Sequence, residues 1–311
     1  MKQPETRGQR SLIDYLILVL KGICMGASDV IPGVSGGTMA FILGIYEELI
    51  FSIKSFNLNF LRLFVTFHFK EAFGRVKWQF LLAVLSGIGI AIFSLARVLG
   101  WLLENEPVLI WSFFFGLISA SVITVSRRVT RWSVILFVSM GLGAAMAFWL
   151  VGLMPAKTPN APWYLFLSGA VAICAMILPG ISGAFILVLL GKYQYVLQAL
   201  NNRDLFVLAI VGAGACVGIV SFSRFLGWLF TKHHDLTVSI LTGFMLGSLR
   251  KIWPWKRVVH LMGAGGTQPF EIYQNILPGP IDMRAIWAFT LMGLGCAMVL
   301  ALDFLSHRKA S

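Results

Sequence analysis

The sequence is poor in charge. Asp, Glu, Lys and Arg make up only 12% of its 311 residues, about half the usual share of a soluble domain. A soluble fold of this length would need far more polar surface, so that class is excluded. Acidic residues are the scarcest, 13 against 25 Lys and Arg, which leaves a net charge of +12. There are four cysteines, Cys24, Cys174, Cys216 and Cys296. Each lies inside an apolar stretch without metal-type spacing, so they read as reduced, buried small residues. The histidines His68, His233, His234, His260 and His307 fall in or beside loops. No carboxylate or His/Cys cluster suggests a metal, and no cofactor is expected. No cleavable signal peptide is expected either. Lys2, Arg7 and Arg10 precede the first apolar run, but Lys21 and Asp29 interrupt it and no small-residue cleavage site follows.

What is present is apolar. Hydrophobic residues make up 58% of the chain and the mean hydropathy is +0.83, so the bilayer must be the solvent for much of it. Uncharged runs long enough to span cover residues 78–96, 107–126, 133–153, 205–223 and 285–302, with a shorter one at 236–249. Two further runs are interrupted. Residues 163–191 are broken at Pro179-Gly180, and residues 15–46 at Pro32-Gly33, with Lys21 and Asp29 inside. A Pro-Gly followed by Ser-Gly frees several backbone groups, which is tolerated at membrane depth only inside protein or beside a wet cavity. Both broken runs are therefore expected to be helical hairpins that re-enter the membrane. The expected fold class is an all-α polytopic membrane protein, one transmembrane domain over residues 1–311.

The basic residues set an orientation. Lys54, Arg62, Lys70, Arg75 and Lys77 share one loop, Arg127, Arg128 and Arg131 another, and Arg308 and Lys309 end the chain. With the N-terminus inside, the spans place all of these in the cytoplasm, with Glu104, Glu106 and Lys157 outside. Arg250, Lys251, Lys256 and Arg257 are the exception, because they would be external. The pattern is that of loops and anionic headgroups, not of a nucleic-acid surface.

An internal repeat organises the chain. Pro32-Gly33-Val34-Ser35-Gly36 recurs as Pro179-Gly180-Ile181-Ser182-Gly183, 147 residues later. The match continues through Leu43-Gly44 with Leu190-Gly191 and Tyr46 with Tyr193, making seven of fifteen positions identical over residues 32–46. A second block, Arg97-Val98-Leu99-Gly100-Trp101-Leu102, matches Arg224-Phe225-Leu226-Gly227-Trp228-Leu229 at an offset of 127. The shorter offset fits a basic loop of about 20 extra residues around 54–77 in the first half. Residues 11–153 and 163–305 thus read as two repeats, each a broken hairpin plus about three transmembrane helices. An odd number of crossings inverts the second repeat, the plan of secondary transporters, with the site near the midplane. The competing account is an old duplication in a protein that transports nothing.

The candidate ligands lie at the breaks. Ser35, Gly36, Gly37 and Thr38 open the second arm of the first hairpin, and Ser182 and Gly183 correspond in the second. A helix starting there presents N–H groups and a positive dipole end to an anion, and the glycines allow close approach. Small residues also serve tight helix packing, which is the competing account. Arg97 and Arg224 occupy equivalent places and could clamp a phosphate through the planar guanidinium fork, or simply reach the interface. Asp29, whose counterpart is Met176, is a candidate for a coupling proton or sodium ion, or could pair with Lys21 or an arginine. A membrane serine protease would need a histidine base near the Gly-x-Ser-Gly serine, and the histidines lie in loops. No enzymatic activity is expected.

The run Met25-Gly26-Ala27-Ser28-Asp29-Val30-Ile31-Pro32-Gly33-Val34-Ser35-Gly36-Gly37-Thr38, continuing through Leu43-Gly44-Ile45-Tyr46-Glu47, closely resembles the signature of a bacterial polyprenyl-phosphate translocase family. The resemblance covers nearly the whole chain, including the second Pro-Gly-x-Ser-Gly. It implies a multi-pass protein of the cytoplasmic (inner) membrane that returns undecaprenyl phosphate, the carrier lipid of cell-wall synthesis, to the cytoplasmic leaflet. It also implies Asp29, Ser35, Gly36, Gly37, Thr38, Ser182 and Gly183 as site positions. The second hairpin has Ala184 where the first has Gly37, so the two tips need not contribute equally. The expected partners are undecaprenyl phosphate or a related lipid phosphate, membrane lipids and a coupling proton or sodium ion, with a homo-oligomer left open. The alternative is a secondary transporter of a small soluble anion.

Overall fold

The computed structural model describes residues 10–31, 34–156, 158–261, 270–279 and 282–308. In chain order the helices are α1 (Leu12–Val30), α2 (Gly36–Ile42), α3 (Tyr46–Lys54), α4 (Leu58–Val65), α5 (Phe69–Gly74), α6 (Trp78–Asn105) and α7 (Pro107–Ser126). They continue with α8 (Val134–Leu150), α9 (Pro162–Ile177), α10 (Gly183–Leu189), α11 (Tyr193–Asn201), α12 (Leu205–Lys232) and α13 (His234–Ile252). Two strands, β1 (Lys256–Leu261) and β2 (Phe270–Asn275), precede the last helix, α14 (Met283–Arg308).

The chain divides into two compact units, residues 1–99 with 155–233, and residues 100–154 with 234–311. These units cut across the 11–153 and 163–305 repeats. The first takes the broken hairpin of each half and most of the long helix that follows it. The second takes the remaining helices of each half.

In the first unit, helices pair along glycines. Gly22 and Gly26 of α1 face Val84 to Ala91 of α6, while Gly214 and Gly218 of α12 face Phe166 and Ala170 of α9. A Cβ at Gly26 would stand 2.7 Å from the Ile88 carbonyl. Membrane helices associate through such close backbone approach, because lipid tails leave no hydrophobic gain between them. In both pairs the contacts advance together along the two chains, so α1 and α6 run parallel, as do α9 and α12.

Both hairpins break twice. The Pro-Gly break separates α9 from α10; its first-half equivalent falls between α1 and α2, where Pro32 and Gly33 lie outside the described residues. A second break bends α2 against α3 by 118° and α10 against α11 by 108°. It is a glycine stop. Gly44 has φ 71° and Gly191 φ 64°. The following N–H groups, Ile45 to the Ala40 carbonyl at 2.9 Å and Lys192 to the Leu187 carbonyl at 2.8 Å, close a six-residue helix-end loop. The short helices then lie back beside the start of their own hairpins. Glu48 in α3 holds Arg10, just before α1, at 2.6 Å and Lys77, just before α6, at 3.2 Å. The Ala156 N–H, before α9, donates to the Leu189 carbonyl at 2.8 Å.

In the second unit, α7 pairs with α14 and α8 with α13. Cys296 donates to the Gly116 carbonyl at 3.1 Å, and Ser239 donates to the Leu136 carbonyl at 2.5 Å. A Cβ at Gly247 or Gly295 would strike the backbone of the facing helix.

Two segments differ from the sequence expectation. The fold is mostly helical but not all-α, because β1 and β2 form an antiparallel pair from Lys256↔Asn275 to Leu261↔Phe270. Val258 and Val259 opposite Tyr273 and Ile272 are β-branched and aromatic residues that favour a strand pair over a helix. The basic loop around 54–77 contains the short helices α4 and α5, where Phe60 stacks on Phe64 and meets Phe73 edge to face, as Phe64 meets Phe69. Among the described residues, four helices can cross a membrane by length and composition, α6, α7, α12 and α14, or six elements if each bent pair counts as one. The expected 133–153 run is the 17-residue apolar helix α8.

Candidate functional site

The two broken hairpins meet at their tips, within the first unit. Ser35 is the N-cap of α2, and its oxygen accepts from the Gly37 N–H at 3.1 Å while its own proton goes to the Met176 carbonyl, in the other hairpin, at 2.9 Å. Thr38 accepts from the Gly180 N–H at 2.8 Å. Tyr46 donates to the Ile177 carbonyl at 3.1 Å. Ser35, Thr38 and Tyr46 are buried. Three side chains of the first hairpin therefore satisfy backbone groups that the second Pro-Gly break sets free, as buried backbone requires. Gly180, at φ +90°, takes a conformation that glycine adopts at no steric cost.

Asp29 stands at the same place. Its carboxylate accepts from the Gly36 N–H at 2.7 Å, and a Cβ on Gly36 would come 2.5 Å from it. The N–H groups expected to be unpaired at this helix start are thus engaged, Gly36 by Asp29 and Gly37 by Ser35. The seat expected for an external anion is held by an anion of the chain itself. Asp29 makes no ion pair among the described residues. Lys21 donates to the Leu43 carbonyl at 2.8 Å instead.

The second tip is built differently. Ser182 is the N-cap of α10, but its hydroxyl caps nothing and makes no hydrogen bond among the described residues. Gly183 packs on its own hairpin, where a Cβ would stand 2.8 Å from the Ala172 carbonyl. Gly37 instead faces the other tip, where a Cβ would stand 2.5 Å from the Ile177 carbonyl. Its counterpart Ala184 is exposed, so a methyl group is free there and forbidden at Gly37.

Ser35, Gly36, Gly37, Thr38, Asp29, Ser182 and Gly183 are thus gathered at one locus. Arg97 and Arg224 make no hydrogen bond or ion pair among the described residues, and Arg97 is exposed. Continuing the α1–α6 and α9–α12 contact registers at the regular helical rise brings each arginine level with the break in its own half. Two contributors were missed from sequence. Tyr46 was visible only as a repeated tyrosine, yet it is buried where Tyr193 is exposed. Lys192, opposite Ile45 in the repeat, is buried at the second bend, donating to the Thr158 carbonyl at 2.8 Å and Asn160 Oδ1 at 2.6 Å.

Four long apolar helices and two interlocked broken hairpins define a multi-pass membrane protein with a polar site at its hairpin tips. Comparison with known proteins places it further. Residues 25–268 match the undecaprenyl phosphate translocase-like family, and the chain belongs to that family. It is 40% identical to a polyprenyl-phosphate transporter of Vibrio cholerae over 298 residues, 94% of this chain and 97% of that one. It is 32% identical to a polyprenyl-phosphate transporter of Staphylococcus aureus over 260 residues, 76% of this chain and 86% of that one. No solved structure matches. The family and the apolar helices make it a multi-pass protein of the bacterial cytoplasmic membrane.

Proposed function

We propose that this chain is a carrier, not an enzyme, that moves a polyprenyl phosphate such as undecaprenyl phosphate across the cytoplasmic membrane, returning the carrier lipid for envelope synthesis. The observation that carries the reading is the polar locus where the two hairpin tips interlock, a hydrogen-bonding site with irregular backbone inside an otherwise apolar chain. Such backbone is sustained at membrane depth only inside protein or beside a wet cavity, and in transporters the broken helices are where the substrate binds. The phosphate takes its donors from Ser35, Gly36, Gly37 and Thr38 of one tip, replacing the internal partners that hold them, and from Ser182 and Gly183 of the other, with Arg97 and Arg224 level with them. The isoprenoid tail stays in lipid, so no enclosed apolar cavity is needed.

Asp29 gives the carrier its coupling. Its carboxylate and a lipid phosphate compete for the same Gly36 N–H, and two anions so close repel. The phosphate enters when Asp29 is neutralised by a proton or a sodium ion, or swings aside. The hairpins re-enter, the two repeats have inverted topology, and both termini are cytoplasmic. The return of each short helix to the start of its own hairpin supports this, as do the basic loops. The test is transport of labelled undecaprenyl phosphate in proteoliposomes, with and without proton and sodium gradients. Leaflet-to-leaflet movement above protein-free vesicles is expected; its absence under every gradient overturns the reading. Cysteine labelling of Thr158 and Lys70 from the same side overturns the topology.

A further inference from the structure

Four basic residues break the charge rule. Arg250, Lys251, Lys256 and Arg257 follow or end α13, and the topology above puts them at the external face. Lys256 is half-buried. Its ammonium stands 4.6 Å over the Trp111 ring of α7 and donates to the Lys251 carbonyl. Burial and the neighbouring Lys251 charge push its pKa down to about 8. Among the described residues no carboxylate forms an ion pair with Lys256. An ammonium held in a partly desolvated place beside a like charge attracts an anion.

The neighbouring rings form a chain. Phe115 and Trp253 have ring centroids 5.3 Å apart, Trp253 and Trp255 5.6 Å, and Trp255 and Phe289 5.3 Å. The segment is braced. Trp253 Nε1 donates to the Ile276 carbonyl at 2.8 Å and Asn275 donates to the Arg250 carbonyl at 2.8 Å. An ammonium over Trp111 beside further tryptophans suits a membrane-interface depth, where such rings collect. It offers charge to a phosphate and apolar faces to the hydrocarbon attached to it.

We infer that Lys256 and Lys251, backed by Trp111, Trp253 and Trp255, form a second phosphate site at the external end of the second unit, which captures the headgroup of a prenyl phosphate from the outer leaflet. This inference rests on the transport reading and its topology, and deepens it by giving the substrate an entry point. A phosphate monoester is the shared chemistry, whether lipid-borne or free in solution.

The test uses the full chain in nanodiscs and a polyprenyl phosphate bearing a diazirine in its first isoprene unit. Crosslinked peptides are read by mass spectrometry. Labelling around Trp111 and Trp255 is expected, falling about tenfold in K256M, which loses a charge-assisted bond but keeps an apolar stem over Trp111. K256R restores it. Equal labelling in K256M, or equal labelling by the polyprenol without phosphate, overturns the site. Equimolar inorganic phosphate that abolishes labelling assigns the seat to free phosphate and overturns the lipid headgroup as its occupant. Loss of competition when the competitor lacks a tail supports the headgroup. Transport is measured on the same protein. Wild-type transport without labelling here removes the site and leaves the function. Labelling here without transport removes the function and leaves the site.

Discussion

The two hairpin tips carry the same five-residue motif and use it differently. In the first, Ser35 caps its helix and reaches across, Asp29 sits on Gly36, and Tyr46 is buried against the other tip. In the second, Ser182 caps nothing, Met176 replaces Asp29, and Tyr193 is exposed. The repeat supplies the scaffold, namely two breaks, two glycine stops and two short returning helices. The differences supply the chemistry. One tip gives side chains, and the other gives the free backbone groups those side chains hold. A symmetric dimer of one half could not do this with equal tips.

The comparison breaks most visibly at Gly37 and Ala184. Gly37→Val should abolish transport, because even its Cβ would stand 2.5 Å from a carbonyl of the other tip. Ala184→Val should leave transport near wild type, because that position is exposed. Parallel assays of the two variants in proteoliposomes decide it. Equal loss in both would mean that the tips are equivalent after all.

Asp29→Asn comes next. The amide oxygen can still accept from the Gly36 N–H, but the competing charge is gone. Equilibrium binding of undecaprenyl phosphate should hold or tighten, while the ratio of transport with an ion gradient to transport without one should fall to about unity. A preserved gradient response would remove Asp29 from coupling.

Thr38→Val and Ser182→Ala separate a site hydroxyl that also holds the other hairpin from one that holds nothing among the described residues. Thr38→Val strands the buried Gly180 N–H, a loss of about 1–3 kcal/mol that thermal unfolding should register. Ser182→Ala removes a hydroxyl that holds nothing among the described residues, so stability should move by less than about 0.5 kcal/mol. Its effect should appear in lipid-phosphate binding. A thermal shift of the same size in both would show that Ser182 is structural too.

How much of this was legible depends on the scale of the signal. The breaks, the repeat and the cluster from Asp29 to Thr38 were readable, because Pro-Gly and Ser-Gly act locally on the backbone. The second break is also written in the sequence, as Leu-Gly after an apolar run, but in the repeat it reads as an identity and not as a helix stop. The cross-tip bonds were not legible. That Ser35 and Thr38 serve the other hairpin, and that Asp29 fills the seat expected for a ligand, depends on how two distant segments meet. The β-pair was hidden because each strand is only six residues long and does not alternate regularly between polar and apolar residues.

The arginines give the smallest effect and the finest comparison. Arg97 and Arg224 are equivalent in sequence and level with their own breaks, but their neighbourhoods differ. Lys54 of α3 lies along Gly227, one turn beyond Arg224, its Cδ 2.8 Å from where a Cβ would be. Gly100, the counterpart of Gly227, has nothing within 4 Å of that position. A second cation therefore stands one turn from Arg224, and among the described residues nothing stands at the equivalent place beyond Arg97. If both clamp the phosphate, Arg97→Lys loses the bidentate fork with nothing nearby to compensate, and binding should weaken about tenfold, the worth of one charge-assisted bond. Arg224→Lys loses the same fork while Lys54 still supplies charge, so the change should be smaller, roughly threefold. Arg224→Lys in a Lys54→Met background should then approach the Arg97 value, since the buffering cation is gone. Titration of undecaprenyl phosphate against the four proteins reads all of this. Affinities near wild type throughout would mean that both guanidinium groups merely reach the interface, a task that lysine performs as well.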